Sequence, residues 1–250
     1  MLEIWVLSLA SVFIVSLISL IGVATLSMNH EKLNKYLHLL VSFSAGALMG
    51  DAFIHLLPEV AEEYGFGLEI SGMVLFAIVF SLVLEKIIRW RHCHVPTSRD
   101  HPHPVATINL VGEAVHNFLD GAIIGASYLI SIPVGLATTL AVVFHEIPQE
   151  IGDFGVLVHS GLSRKKALMY NFGVALTAFL GAVIALAAAS FVENIEFFAA
   201  PFAAGLFIYI AGTDLIPELH KNDDTATSIM EMTAFLLGVG VMFALLLVLE

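Results

Sequence analysis

With 250 residues, 58% of them hydrophobic and only 13% charged, and a mean hydropathy of +0.92, the chain lies far from the composition of a soluble domain, where about a quarter of residues are charged. Its one cysteine, Cys93, excludes an intrachain disulfide and a four-thiolate metal site, and a net charge of −12 gives no expectation of a nucleic-acid partner. What remains is an all-α integral membrane protein in the lipid bilayer. It reads as a single transmembrane domain over residues 1–250, because apolar runs long enough to cross a hydrocarbon core of roughly 30 Å recur along almost its whole length.

The first run, "LEIWVLSLASVFIVSLISLIGVATL", lacks a basic n-region and outlasts the apolar core of a signal peptide, so it reads as a retained span near residues 2–27. The second, near 36–57, holds "SAGALMGDAFIHLLPE", and the third lies near 69–89. The polar stretch "RWRHCHVPTSRDHPHP" follows; its residues 92–104 form a loop carrying His92, His94, His101 and His103, which reads equally as a metal-capturing segment or a solvated linker. The fourth span, near 105–129, contains "EAVHNFLDGAIIGA", and "SIP" joins it tightly to a fifth, near 133–160, that contains "HEIPQEIGD". Those two should form an antiparallel hairpin. Spans near 165–191, 198–217 and 229–249 complete eight. The GxxxG patterns "GALMG" (46–50) and "GAIIG" (121–125) read as close packing inside one protomer rather than as a dimer seam.

The charges test this count independently. All ten Lys and Arg residues, from Lys32 and Lys35 to Lys221, fall on the side of the odd-numbered connections, while the other side carries Glu3, Glu59, Glu62, Glu63, Glu69, Glu193, Glu196 and Glu250. By the positive-inside rule the odd connections and the His-containing loop are cytoplasmic and both termini lie outside. The expected location is the cytoplasmic membrane.

"SAGALMGDAFIHLLPE" (44–59) and "AAGLFIYIAGTDLIPE" (203–218) align without gaps at an offset of 159 residues, matching Gly46 to Gly205, Pro58 to Pro217 and Glu59 to Glu218. The second and seventh spans cross in opposite directions, so the echo predicts an inverted repeat of helices 1–3 and 6–8 around the hairpin of helices 4 and 5. Chance likeness between two apolar helices is the competing reading.

The hairpin carries the chemistry. His116 lies about eleven residues from the cytoplasmic start of its span, roughly 16 Å deep at 1.5 Å per residue, and His145 reaches a similar depth from the other side. His116 with Asp120, and His145 with Gln149, are spaced i, i+4 and share a helix face. A second stripe, one residue along, holds Asn117, Glu146 and Glu150, with Glu113 and Asp153 a turn away. An ionised carboxylate at the bilayer centre costs at least about 2.5 to 3.5 kcal/mol, and no Lys or Arg lies in either helix centre to pair with these. Bound protons or a cation must supply the positive charge. Imidazole, carboxylate and amide oxygen suit a borderline divalent ion, Zn²⁺ first, with Fe²⁺, Mn²⁺, Co²⁺ or Cd²⁺ as other candidates. Two stripes give room for two adjacent ions bridged by Asp120. The bland alternative makes these residues hydrogen-bonded glue between helices. Pro148 removes one backbone bond, which either frees the Phe144 carbonyl to face an ion or water or merely kinks the helix for packing.

Two other classes compete. "HEIPQ" has the start of the HExxH zinc-protease helix, but the fifth position is Gln149 and Pro148 intrudes on the helix that motif requires. A metal-selective channel could use the same ligands.

"HNFLDG" followed by "HEIPQEIGDF" resembles the paired fourth- and fifth-helix signatures of the ZIP (Zrt/Irt-like) metal transporters, closest to the LIV-1-like branch. "GDAFIHLLPE" and "DLIPEL" resemble that branch too. The resemblance implies uptake of divalent metal toward the cytosol through a binuclear site, the first ion held by His116, Asp120, His145 and Gln149, the second by Asn117, Asp120, Glu146 and Glu150. The branch usually has His where Gln149 stands. The resemblance also suggests pathway roles for Asp51 and His55 at the outer end of the second span, and for Asp214 and His220 at the cytoplasmic end of the seventh, with Asp153 beside the site. A homodimer is compatible with all of this.

Overall fold

The computed structural model describes residues 1–22, 30–90, 105–159, 162–189, 191, 194–220 and 224–249. His92, His94, His101 and His103 fall outside them. Among the described residues the secondary structure is entirely helical, in eight rods. The first is α1 (Leu2–Ile18). The second runs from α2 (His30–Gly50) through a π-turn at Asp51–Leu56 into α3 (Leu57–Tyr64). The third is α4 (Leu68–Trp90). Then come α5 (Val105–Ile130) and α6 (Ile132–His159). The sixth rod is α7 (Arg164–Ala175) followed by α8 (Thr177–Ala188). The seventh joins α9 (Ile195–Ile210) to α10 (Ile216–Leu219) through a π-turn at Ala211–Leu215, and α11 (Thr225–Leu249) is the last.

Six rods are long and apolar enough to cross a membrane, and this is a multi-pass membrane protein. The other two, α5 and α6, carry most of the buried His, Asp and Glu residues. Only Ser131 separates them, and its hydroxyl accepts the Val134 N–H at 3.3 Å while Pro133 occupies the first turn of α6, where a missing N–H costs nothing. The hairpin expected from "SIP" is present.

Two rods differ from their sequence reading. The second was expected to end near residue 57, before Pro58, but the helix continues to Tyr64. Pro58 falls in the first turn of α3, where its lost N–H is tolerated, and the helix stops instead at Gly65, whose φ of 76° favours a residue without Cβ. The sixth, expected as one span, is interrupted at Leu176, beyond which the Thr177 hydroxyl donates to the carbonyls of Ala114 and Val174 at 2.7 Å each.

The π-turns sit at matching places. Each ends two residues before a proline, Pro58 or Pro217, and the 159-residue offset carries Ala52–Leu56 onto Ala211–Leu215. A widened turn relieves the clash a proline ring makes with the preceding turn of a regular helix.

Glycines let the rods approach closely. A Cβ at Gly121 would lie 1.8 Å from the Ala178 carbonyl oxygen, and one at Gly181 would lie 1.9 Å from that of Phe118, so α5 and α8 meet backbone to backbone. Gly46 stands in the same relation to Phe235 across α2 and α11, and Gly205 to Val74 across α9 and α4. Both GxxxG patterns are therefore spent inside the chain. The core, including Leu48, Leu56, Ile124, Tyr128, Val142 and Phe207, lies where α2, α5, α6 and α9 converge. Leu75, Phe76 and Val79 on α4, and Leu236, Leu237 and Phe243 on α11, face outward as lipid-facing side chains do.

Candidate metal centre

Where α5 crosses α6, the two imidazoles meet edge to face, with His116 Nε2 and His145 Nε2 3.3 Å apart. Asp120 Oδ2 lies 3.0 Å from His145 Nε2 and 3.5 Å from His116 Nε2, and Glu146 Oε1 lies 3.4 Å from His116 Nε2. One ligand atom from each of these four residues falls within 4.8 Å of all the others. Glu113, Glu146 and Glu150 form a second such group. Glu146 belongs to both of these groups.

Burial makes the clustering informative. Asn117, Asp120, His145, Glu146 and Glu150 are each at most 1% exposed, yet Asn117 Oδ1, Asp120 Oδ1, both Glu146 oxygens and Glu150 Oε1 accept no hydrogen bond among the described residues. Orphaned buried acceptors are rare and costly, above all on carboxylates. Neither α5 nor α6 contains a Lys or Arg to neutralise them. This donor set of imidazole nitrogen, carboxylate and amide oxygen fits a divalent cation.

A cavity reaches the centre. His116 and Gln149 are less buried than their neighbours and line a cavity of about 510 Å³, together with Glu113, Asp153 and Asp214. Asp153, which accepts a hydrogen bond from Asn109 Nδ2, and Asp214 thus share a space with the centre. The Tyr209 hydroxyl donates to Glu85 on the wall of that cavity. His220, grouped with Asp214 in the sequence reading, is separate: it lines another cavity of about 480 Å³ beside Glu231. Asp51 and His55 pair at 3.1 Å, Asp51 also accepts the Thr138 hydroxyl at 2.7 Å, and His55 borders a third cavity of about 360 Å³ with Glu59 and Glu62.

Pro148 leaves the Phe144 carbonyl without its helical N–H, and that carbonyl accepts from the Ser44 hydroxyl at 2.6 Å, whose one proton is shared with the Leu40 carbonyl at 2.7 Å; the contact fastens α6 to α2 one residue before His145. Two further residues escaped sequence reasoning. Asn171 of α7 is fully buried, its amide donates to Glu150, and its own oxygen is unpartnered. Glu113, read only as a neighbour, accepts from both Asn117 and Gln149. Its spacing of three and four residues from His116 and Asn117 was a usable signal, whereas nothing marks Asn171 in its apolar span.

Fold and site together define a polytopic membrane protein with a cluster of His, Asp and Glu side chains, able to hold a cation, between two helices of its bundle. The family model described as ZIP zinc transporter matches residues 2–107 and 98–246. Among similar proteins are the zinc transporter zipt-7.1 of Caenorhabditis briggsae, 30% identical over 99% of this chain and 80% of its own length, and zinc transporter ZIP13 of Mus musculus, 31% identical over 84% of this chain and 70% of its own. Zinc transporter ZIP4 of Homo sapiens is 47% identical, over 46% of this chain and 18% of its own length. This chain belongs to the ZIP zinc transporter family. It is a transporter rather than an enzyme, and the protease reading of "HEIPQ" falls away.

Proposed function

We propose that the chain carries zinc across the cytoplasmic membrane toward the cytosol through a two-ion site between α5 and α6. His116, Asp120, His145 and Gln149 would hold the first ion, and Asn117, Asp120, Glu146 and Glu150 the second. The observation that supports this best is the convergence of two imidazoles and three carboxylates, buried, with oxygens left open and no basic side chain in either helix. Glu146, common to both ligand groups, is an additional candidate for the bridge. In this reading His116 and Gln149 deliver the ion to the cavity that Asp153 and Asp214 line, while Asp51 and His55 stand at the opposite approach.

The same reading places both termini outside and relates helices 1–3 to 6–8 by an inverted repeat. The matched π-turns support it, and so do the reciprocal pairings of α2 with α11 and of α9 with α4. Uptake of radioactive zinc by proteoliposomes tests the site: His145→Ala should reduce it to background, and normal uptake by that variant would sink the assignment. Saturable uptake marks a carrier, flux linear in zinc a channel, and a competition panel of Fe²⁺, Mn²⁺, Co²⁺ and Cd²⁺ orders the other metals.

A further inference from the structure

Glu113 stands one turn before the site on α5, and both of its oxygens are occupied. Oε1 accepts the Asn117 side-chain N–H at 2.7 Å, and Oε2 accepts that of Gln149 at 3.0 Å. Asp120, Glu146 and Glu150, by contrast, each keep an oxygen that accepts nothing. A carboxylate accepts but does not donate, so each amide must turn its NH₂ toward Glu113 and its oxygen away. The Asn117 oxygen, buried and without a hydrogen bond, is left available in just this way. An amide turned the other way would offer N–H donors to the cation, which repels it and binds nothing.

We propose that Glu113 is the positioning residue for both amide ligands, and that its grip on the NH₂ group is what lets Gln149 serve as a metal ligand at all. The proposal rests on the assignment of Asn117 and Gln149 as ligands. Glu113 lies close to Glu146 and Glu150 and is itself a carboxylate, so direct ligation by Glu113 is the rival to be separated from orientation. Partners that orient metal ligands commonly change affinity by about 10- to 100-fold when removed.

A double-mutant cycle separates the two. Zinc affinity is titrated on the purified full chain, and initial uptake rates are measured in proteoliposomes, for wild type, Glu113→Gln, Gln149→Ala and the double variant. Glu113→Gln should weaken zinc binding by about 10- to 100-fold and raise the apparent KM while the maximal rate per folded transporter holds. In the Gln149→Ala background the same change should cost about tenfold less, because one amide is no longer there to orient. Equal penalties in the two backgrounds would overturn the proposal, since a direct ligand or a purely structural residue acts whether or not Gln149 is present. Unchanged affinity in Glu113→Gln would overturn it too. Glu113→Asp, which keeps the carboxyl group but falls one methylene short, should lose affinity as Glu113→Gln does; full affinity would refute orientation by contact. It also replaces Glu113→Gln in the cycle if that variant does not elute as a folded protein. Failure of the underlying site reads differently: Gln149→Ala and Asn117→Ala would each bind zinc as wild type does.

Discussion

Pro148 cannot supply the N–H that a regular helix would give the Phe144 carbonyl, and the Ser44 hydroxyl supplies its proton instead at 2.6 Å, shared with the Leu40 carbonyl of its own helix at 2.7 Å. Ser44→Ala therefore strands a buried acceptor. In soluble cores an orphaned acceptor costs about 1–3 kcal/mol, but interhelical hydrogen bonds measured inside membranes average about 0.6 and reach about 1.7 kcal/mol. Ser44 is fully buried, and the proline prevents the backbone from reclaiming the carbonyl, so the upper part of that range applies, about 1–1.7 kcal/mol. The control is Pro148→Ala, which returns an N–H four residues after Phe144. In that background Ser44→Ala should cost less than about 0.5 kcal/mol, within ordinary additivity error. Chemical denaturation of the four purified proteins in detergent reads the coupling. If Ser44→Ala costs the same with and without Pro148, the serine is not replacing the missing backbone bond and the reasoning is wrong.

Other outcomes follow from the same structure. Gly121→Ala, whose new methyl would meet the Ala178 carbonyl at 1.8 Å, should lower stability by about 1–3 kcal/mol, whereas Gly112→Ala, with nothing within 4 Å, should not; thermal midpoints compare them. At the start of α11 the Thr227 N–H and hydroxyl bond the Asp224 carboxylate at 2.9 and 2.8 Å and hold its pKa below the usual aspartate value. A depressed carboxylate stabilises fully above its ordinary pKa and loses that contribution as pH falls through the folded value. Asp224→Ala should thus lower the thermal midpoint at neutral pH and converge with wild type in acid; a gap that persists in acid would contradict the sign. Gln149→His, which replaces a neutral amide oxygen with imidazole, should tighten zinc binding in a titration, and unchanged affinity would mean that Gln149 is not a ligand.

Much of the architecture was legible because hydropathy and charge are properties of single residues summed along the chain. Most of the rods begin and end within a few residues of their expected spans, and the hairpin turn at Ser131 followed from "SIP". The exceptions are local. Pro58 looks like a stop in sequence but lands in the first turn of α3 behind a π-turn, and the break at Leu176 has no Pro near it and only Gly173 three residues before it. The meeting of His116, Asp120 and His145 was foreseeable, since i, i+4 spacing and equal depth on two antiparallel helices place them together, whereas Glu146, assigned to the neighbouring stripe, joins the same group. Which atoms are already engaged was not. Whether the Phe144 carbonyl meets an ion or Ser44, and whether Glu113 ligates or holds two amides, depends on rotation of one helix against another, and no single-helix pattern encodes that.

The polar load on α5 and α6 also bears on how the protein enters its membrane. A helix with Glu113, His116, Asn117 and Asp120 along it, or with His145, Glu146, Glu150 and Asp153, partitions poorly into lipid on its own. Both helices become acceptable only when covered, α5 by α1, α8 and α9, and α6 by α1 and α2. Covering helices thus lie on both sides of the hairpin in the chain, and α8 and α9 are synthesised after it. The hairpin must wait, next to the insertion machinery or in a transient aqueous pocket, until its later partners arrive. Substitutions on α8 that never touch an ion, at Gly181 for instance, should therefore lower the yield of inserted protein before they alter what it transports.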